Sequence, residues 1–296
     1  MTFDVVDSGP PVDSGPPADS RPAVASVHGA DPPPAEDGEV IVLLHGFPQT
    51  SRSWDQVSPL LRKAGFRTVA VDQRGYSPGA RPEGRRAYRL NLLVGDVVAL
   101  IERIGTGPVH IVGHDWGAAV AWALASSRPD LVRTLTAVSV PHPGAFLRSM
   151  LSSSQVAHSF YIALFQLPKL PERLARKRPG LFDGSLRRTG MTDEMVVRVR
   201  TDIIESGALT TALNWYRAIP LTSPGVAHLH VRVPTTYVWS DGDVALTRRG
   251  AELTEEYVGT DYRLEIFEGV SHWIPEEVPE RLAQVVIARA RGAVSR

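Results

Sequence analysis

The chain has no cysteine among its 296 residues. That excludes a thiol nucleophile, a disulfide framework and any metal centre built on thiolates. Net charge is also missing: 32 Lys and Arg balance 32 Asp and Glu. The basic residues read as scattered along the chain, which argues against nucleic acid or an anionic membrane surface as partner. Long apolar runs are absent too. No stretch approaches the ~18 continuous apolar residues of a membrane span, and Met1-Thr2-Phe3-Asp4 opens no basic segment followed by an apolar one. The expectation is a cytoplasmic protein acting on a small apolar molecule, with homo-oligomerisation left open.

What is present is enough chain for one α/β domain with an insertion. Residues 6–11 and 12–17 both read Val-Asp-Ser-Gly-Pro-Pro, and 18–23 repeat them loosely. A tandem so rich in Pro, Gly and Ser cannot build a core, so 7–37 is expected to be a flexible surface insertion. From Val40 the pattern changes to short apolar runs, each followed by a helical stretch. Strands are predicted near 40–44, 68–72, 109–113, 134–140, 234–239 and 262–267. Helices are predicted at 53–64, 91–104, 117–127, 248–257 and 278–291. This alternation implies right-handed crossovers and a doubly wound, mostly parallel sheet whose sites lie at the carboxyl ends of its strands.

The alternation breaks after Pro141. The following stretch has helical periodicity and no convincing strand, with Phe160, Tyr161, Leu164, Phe165, Ile203, Ile204, Leu209, Leu213, Trp215 and Tyr216 as apolar anchors. It reads as a helical cap at 141–225, inserted between core segments 1–140 and 226–296. Such a cap would cover the carboxyl edge of the sheet and exclude water there.

Val112-Gly113-His114-Asp115-Trp116-Gly117 joins a strand pattern to a small-residue helix pattern. Glycines two positions either side of one acid are what a sharp strand-to-helix elbow demands, because the strained turn leaves no room there for side chains. The acid also specifies chemistry. A carboxylate attacking an acyl group would form a high-energy anhydride. Attack on a saturated carbon forms an ordinary ester that water can cleave. Asp115 is therefore a candidate nucleophile toward an sp3 carbon bearing a leaving group, such as an epoxide or alkyl halide.

Cleaving that ester needs a base. His272, in Gly269-Val270-Ser271-His272-Trp273-Ile274-Pro275 after the last predicted strand, has the best setting of the nine histidines. His114 reads as a packing residue, and His110, His142 and His158 lack motifs. His228 and His230 could share a strand face but have no further ligands nearby for a metal. An acid to orient His272 should follow strand 234–239, where Asp241 and Asp243 both qualify; Asp241 beside Gly242 suits a turn. His45-Gly46-Phe47-Pro48 follows the first buried strand, so the backbone N–H groups of Phe47 and Trp116 are candidates for an oxyanion hole. Asp72-Gln73-Arg74-Gly75-Tyr76-Ser77 reads as structural, with Arg74 fixing loops.

His45 to Pro48, Gly113 to Gly117, Asn214-Trp215-Tyr216-Arg217 and Gly269 to Pro275 together resemble the α/β-hydrolase superfamily, specifically its epoxide hydrolase branch with neighbouring dehalogenases, over nearly all of 38–292. The resemblance implies the α/β-hydrolase fold with an inserted cap, no cofactor and no metal. It selects Asp243 as the relay acid and Tyr216 as a proton donor to the epoxide oxygen. Phe47, Trp116, Tyr161, Leu164, Trp215 and Trp273 are the substrate-contact candidates. A second cap tyrosine is usual in the branch, but its aligned position is Leu164, so Tyr161 could replace it only if its helix is rotated. Haloalkane dehalogenases are similar at Trp116 but typically have Asn where Phe47 stands. Fluoroacetate dehalogenases share the run at 45–50, yet place Arg where this chain has Trp116. A dehalogenase, or a non-catalytic ligand-binding member of the fold, is the alternative.

Overall fold

A run in which every residue is apolar makes a strand that must be covered on both faces, and Val40–Leu44 is such a run, buried throughout. The computed structural model describes residues 1–9, 24–26 and 39–294. Eight strands, β1 (Asp4–Asp7), β2 (Val24–Ser26), β3 (Val40–Leu44), β4 (Arg67–Val71), β5 (Val109–His114), β6 (Val132–Val138), β7 (Thr235–Ser240) and β8 (Tyr262–Phe267), form one sheet in the order β2-β1-β4-β3-β5-β6-β7-β8. From β4 to β8 all pairings are parallel, in registers such as Leu43 with Val112 and Ala137 with Tyr237. The doubly wound, mostly parallel sheet expected from the alternation is what the chain forms.

Side chains in β3 alternate between two cores, as the strand period of two requires. Val40, Val42 and Leu44 join the core that includes helices Leu90–Ile104 and Trp116–Ser127; Ile41 and Leu43 join the one that includes Val57–Lys63 and Pro279–Val294.

The antiparallel strands β1 and β2 were not among the expected strands. Val6 and Asp7 of the first repeat lie in β1, paired with Ala70 and Val69 of β4, and Asp7 holds Arg67 in a two-pronged ion pair. A sheet edge recruits a short extended segment that has little periodicity of its own. The remainder of the 7–37 insertion, apart from Asp7–Gly9 and β2, lies outside the described residues.

Helical elements run from Pro143 to His228 without a strand among them. Ile203, Leu209, Leu213 and Trp215 are buried as expected, but Phe160 is 70% exposed and anchors nothing. In helix Phe160–Gln166, Tyr161 and Phe165 are four residues apart and share the inward face; Phe160, one position earlier, points about 100° away.

Candidate active site

Asp115 sits between β5 and helix Trp116–Ser127 with φ 51° and ψ −119°, in a conformation a non-glycine residue adopts only when its surroundings hold it there. Three close approaches do so. A Cβ on Gly113 would strike the Gly117 carbonyl, one on Gly117 the Leu44 carbonyl, and one on Gly46 the Asp115 side chain. The elbow and the loop after β3 thus pack backbone to backbone. The Phe47 N–H donates to Asp115 Oδ1 at 2.7 Å. Trp116 opens the helix, so its own N–H has no intrahelical acceptor.

His272 reaches this carboxylate from the loop after β8, with Nε2 3.6 Å from Asp115 Oδ2 and Nδ1 2.6 Å from Asp243 Oδ2. Asp243 is itself fixed by N–H groups of Ala245 and Leu246 on its other oxygen, at 2.7 and 3.1 Å. Asp241 instead accepts from the Gly269 N–H, a turn contact. Burial alone would lower the His272 pKa, but the Asp243 and Asp115 carboxylates outweigh it and raise it to about 10. Burial pushes Asp115 up, and His272, His114 and the Phe47 N–H together bring it below the ordinary carboxylate value. Each group thus favours the charged form of the other.

Helices of the segment after β6 bring aromatic rings to the surroundings of Asp115. Tyr216, on helix Leu209–Arg217, packs edge-on against Phe47, Trp116 and Phe165 at 5.2, 5.1 and 5.0 Å between centroids, and 6.0 Å from Tyr161. Burial, followed by the Asp115 charge, holds the pKa of both the Tyr216 and the Tyr161 phenol well above the ordinary value. Leu164 is half-buried on the same helix as Tyr161.

The neighbours of Tyr216 set its height. The Trp215 indole N–H donates to the Arg74 carbonyl at 2.8 Å, tying the cap helix to the loop after β4. Arg217 forms a buried two-pronged pair with Glu172 at 2.8 and 3.0 Å and donates to the carbonyls of Phe165 and Leu167. Trp215 is 1% exposed behind Trp116. The Trp273 ring packs edge-on against His272, with its indole N–H given to Thr189.

Other residues fall where backbone demands put them. Arg74 is paired with Asp96 and bonded to the Ala87 carbonyl. His45 accepts the Gln73 N–H on Nε2, so Nδ1 is the protonated nitrogen, facing the Gly46 carbonyl. His114 donates from Nε2 to the His272 carbonyl, which also accepts from Ser139 Oγ, so two side chains clamp the backbone of His272. Ser139 carried no signal in the sequence, because only the crossing of β6 beneath the β8 loop brings it there. Tyr76 was read as structural. Its buried hydroxyl has no hydrogen-bond partner and its pKa is raised by burial, then by Asp115. Among the described residues, no three His, Asp or Glu side chains are grouped as metal ligands.

The model for the alpha/beta hydrolase fold family matches residues 39–279. The chain is 39% identical to AB hydrolase superfamily protein YfhM of Bacillus subtilis over 262 residues, covering 85% of this chain and 90% of that one. It is 33% identical to epoxide hydrolase 3 of Xenopus tropicalis, over 83% of this chain and 70% of that one. The crystal structure of an epoxide hydrolase from Vigna radiata superposes with a TM-score of 0.75 at 28% identity, over 86% of this chain and 92% of that one.

Proposed function

The chain belongs to the α/β-hydrolase fold family, as an enzyme of the epoxide hydrolase type, and on that premise we propose that it opens an epoxide to a vicinal diol through an ester on Asp115. Oδ1 is engaged by the Phe47 N–H, so Oδ2 is the attacking oxygen. It displaces the ring oxygen from the less hindered carbon, and that oxygen takes a proton from Tyr216, assisted by Tyr161. The phenols are poor acids while Asp115 is anionic, because its charge raises their pKa. Attack consumes that charge, so the phenols become better donors as the ring oxygen becomes more basic.

The same loss of charge prepares the second step. With Asp115 esterified, His272 keeps only Asp243 as a partner and gives up its proton to the Tyr216 phenolate, which leaves the imidazole as a base. It then takes a proton from water, which attacks the ester carbonyl. The oxyanion forms on Oδ1, facing the Phe47 and Trp116 N–H groups. Collapse expels the diol oxygen, which takes the proton from His272, and the Asp115 carboxyl group left behind passes its own proton to the imidazole, restoring carboxylate and imidazolium.

The observation that carries the epoxide reading is the pair of cap phenols, Tyr216 and Tyr161, with ring centroids 6.0 Å apart and both within the field of Asp115. An epoxide oxygen leaves as an alkoxide and needs an acid beside it, whereas a halide leaves without one. The test is His272→Gln incubated with an aryl epoxide and weighed intact. A mass increase of one whole substrate, mapped to Asp115, is expected; adducts from haloalkanes and none from epoxides would reassign the enzyme as a dehalogenase. Folded protein that forms neither adduct would favour a ligand-binding role.

A further inference from the structure

The cap turns one face to Asp115 and another to solvent, and its outer part differs in charge from the rest of the chain. Between Pro143 and Arg188 eight basic residues stand against two acids, although the whole chain is neutral. Both acids are engaged by arginines outside that segment, Glu172 by Arg217 and Asp183 by Arg200. Arg148 pairs with Glu256 and Arg187 with Asp193. The other six cations, Lys169, Arg173, Arg176, Lys177, Arg178 and Arg188, are exposed and have no carboxylate within 4.0 Å among the described residues. The charge that reads as scattered by composition is concentrated on one part of the fold.

The same segment exposes large apolar side chains: Leu151 is 92% exposed, Leu181 68%, Val156 57% and Leu147 54%. In helix Leu170–Lys177 the two kinds interleave. Leu170, Arg173, Leu174 and Lys177 follow the i, i+3, i+4, i+7 spacing of a single stripe, opposite the buried Pro171, Glu172 and Ala175. Apolar side chains flanked by unpaired cations match a surface that is anionic outside and apolar just beneath. A nucleic acid would use the cations and leave the leucines in water. A second copy would bring the same positive face against itself, at a like-charge cost.

We infer that the outer face of the cap docks peripherally on anionic lipid bilayers. The cations meet the phosphates, and the leucines interleaved with them, Leu170, Leu174 and Leu181, enter the headgroup boundary. This surface stands apart from the chemistry proposed for Asp115 and does not depend on it. Each basic residue at such a surface contributes about fivefold to partitioning, so reversing three charges removes more than about a hundredfold.

The test is flotation of the full chain with vesicles of phosphatidylcholine alone or mixed with phosphatidylglycerol, at low and high salt. Binding is expected only to the mixed vesicles, with loss at high salt and in the triple variant Arg173→Glu/Arg176→Glu/Lys177→Glu. Leu174→Ser/Leu181→Ser should weaken it at constant charge, and unchanged thermal melting of both variants verifies their fold. Absence of flotation, equal flotation with neutral vesicles, or undiminished binding by the triple variant overturns the inference. So does a concentration-dependent dimer without flotation that Leu174→Ser/Leu181→Ser dissolves, which would give the patch to a second copy.

Discussion

Replacing Asp115 by Asn imitates, in an isolable protein, the neutral state that esterification creates, and the His272 pKa is the quantity to follow. The imidazole Nε2 lies 3.6 Å from Asp115 Oδ2. At an effective dielectric constant of about 20, a charge pair at that distance is worth about 4–5 kcal/mol, or roughly three pKa units. Asp243 remains in the variant at 2.6 Å from Nδ1, and burial continues to oppose the cation. The His272 pKa, held at about 10 in the parent, should therefore fall by roughly two to three units in Asp115→Asn. The assay is pH titration of the His272 ring by NMR in protein labelled at histidine, with parent and variant compared. A fall of less than about one unit would refute the charge coupling, and with it the argument that nucleophilic attack itself switches His272 from acid to base. The same shift has a stability consequence. A histidine at about 10 in the fold, against 6.5 as its ordinary value, contributes stability that is complete below about pH 6.5 and is lost as the pH rises toward 10. Melting temperature should decline over that window in the parent, and the decline should move to lower pH in Asp115→Asn.

Tyr216→Phe should slow the formation of the ester by roughly ten- to a hundredfold while Tyr161 remains, and the double variant with Tyr161→Phe should lose about 10²–10⁴-fold. Single-turnover kinetics with a slow epoxide would measure both, and an unaffected double variant would remove the phenols from the proton path. Arg217→Met leaves Glu172 buried without its partner and should cost about 3–5 kcal/mol in urea unfolding. Because Arg217 also holds the carbonyls of Phe165 and Leu167, ester formation in the surviving folded fraction should slow as well; parent-like kinetics would mean that Tyr216 is positioned by other contacts. Gly117→Ala drives a methyl group into the Leu44 carbonyl, and neither backbone can yield. Soluble, fully active Gly117→Ala protein would contradict that geometry; a loss of more than about 3 kcal/mol or failure to accumulate is expected.

The amino-acid sequence by itself determined the fold class, because the apolar runs of the buried strands β3 to β7, the alternating pattern of the edge strand β8 and the intervening helices are local properties. It also determined the elbow: the spacing Gly113, Asp115, Gly117 is a steric requirement written in consecutive residues. Only the tertiary structure decided what depends on residues far apart in the chain. The choice between Asp241 and Asp243 is a choice of which oxygen meets His272, and it was made by the loop after β8 crossing the end of β7. Tyr161 and Leu164 could not be ranked from spacing, since the inward face of a short helix is set by its packing on Tyr216. Ser139, Tyr76 and the sheet edge at β1 gave no local signal because each owes its role to a neighbour. The charge of the cap shows the same division. Its residues can be counted in the chain, but their exposure and lack of partners follow from Glu172 and Asp183 having been drawn to Arg217 and Arg200.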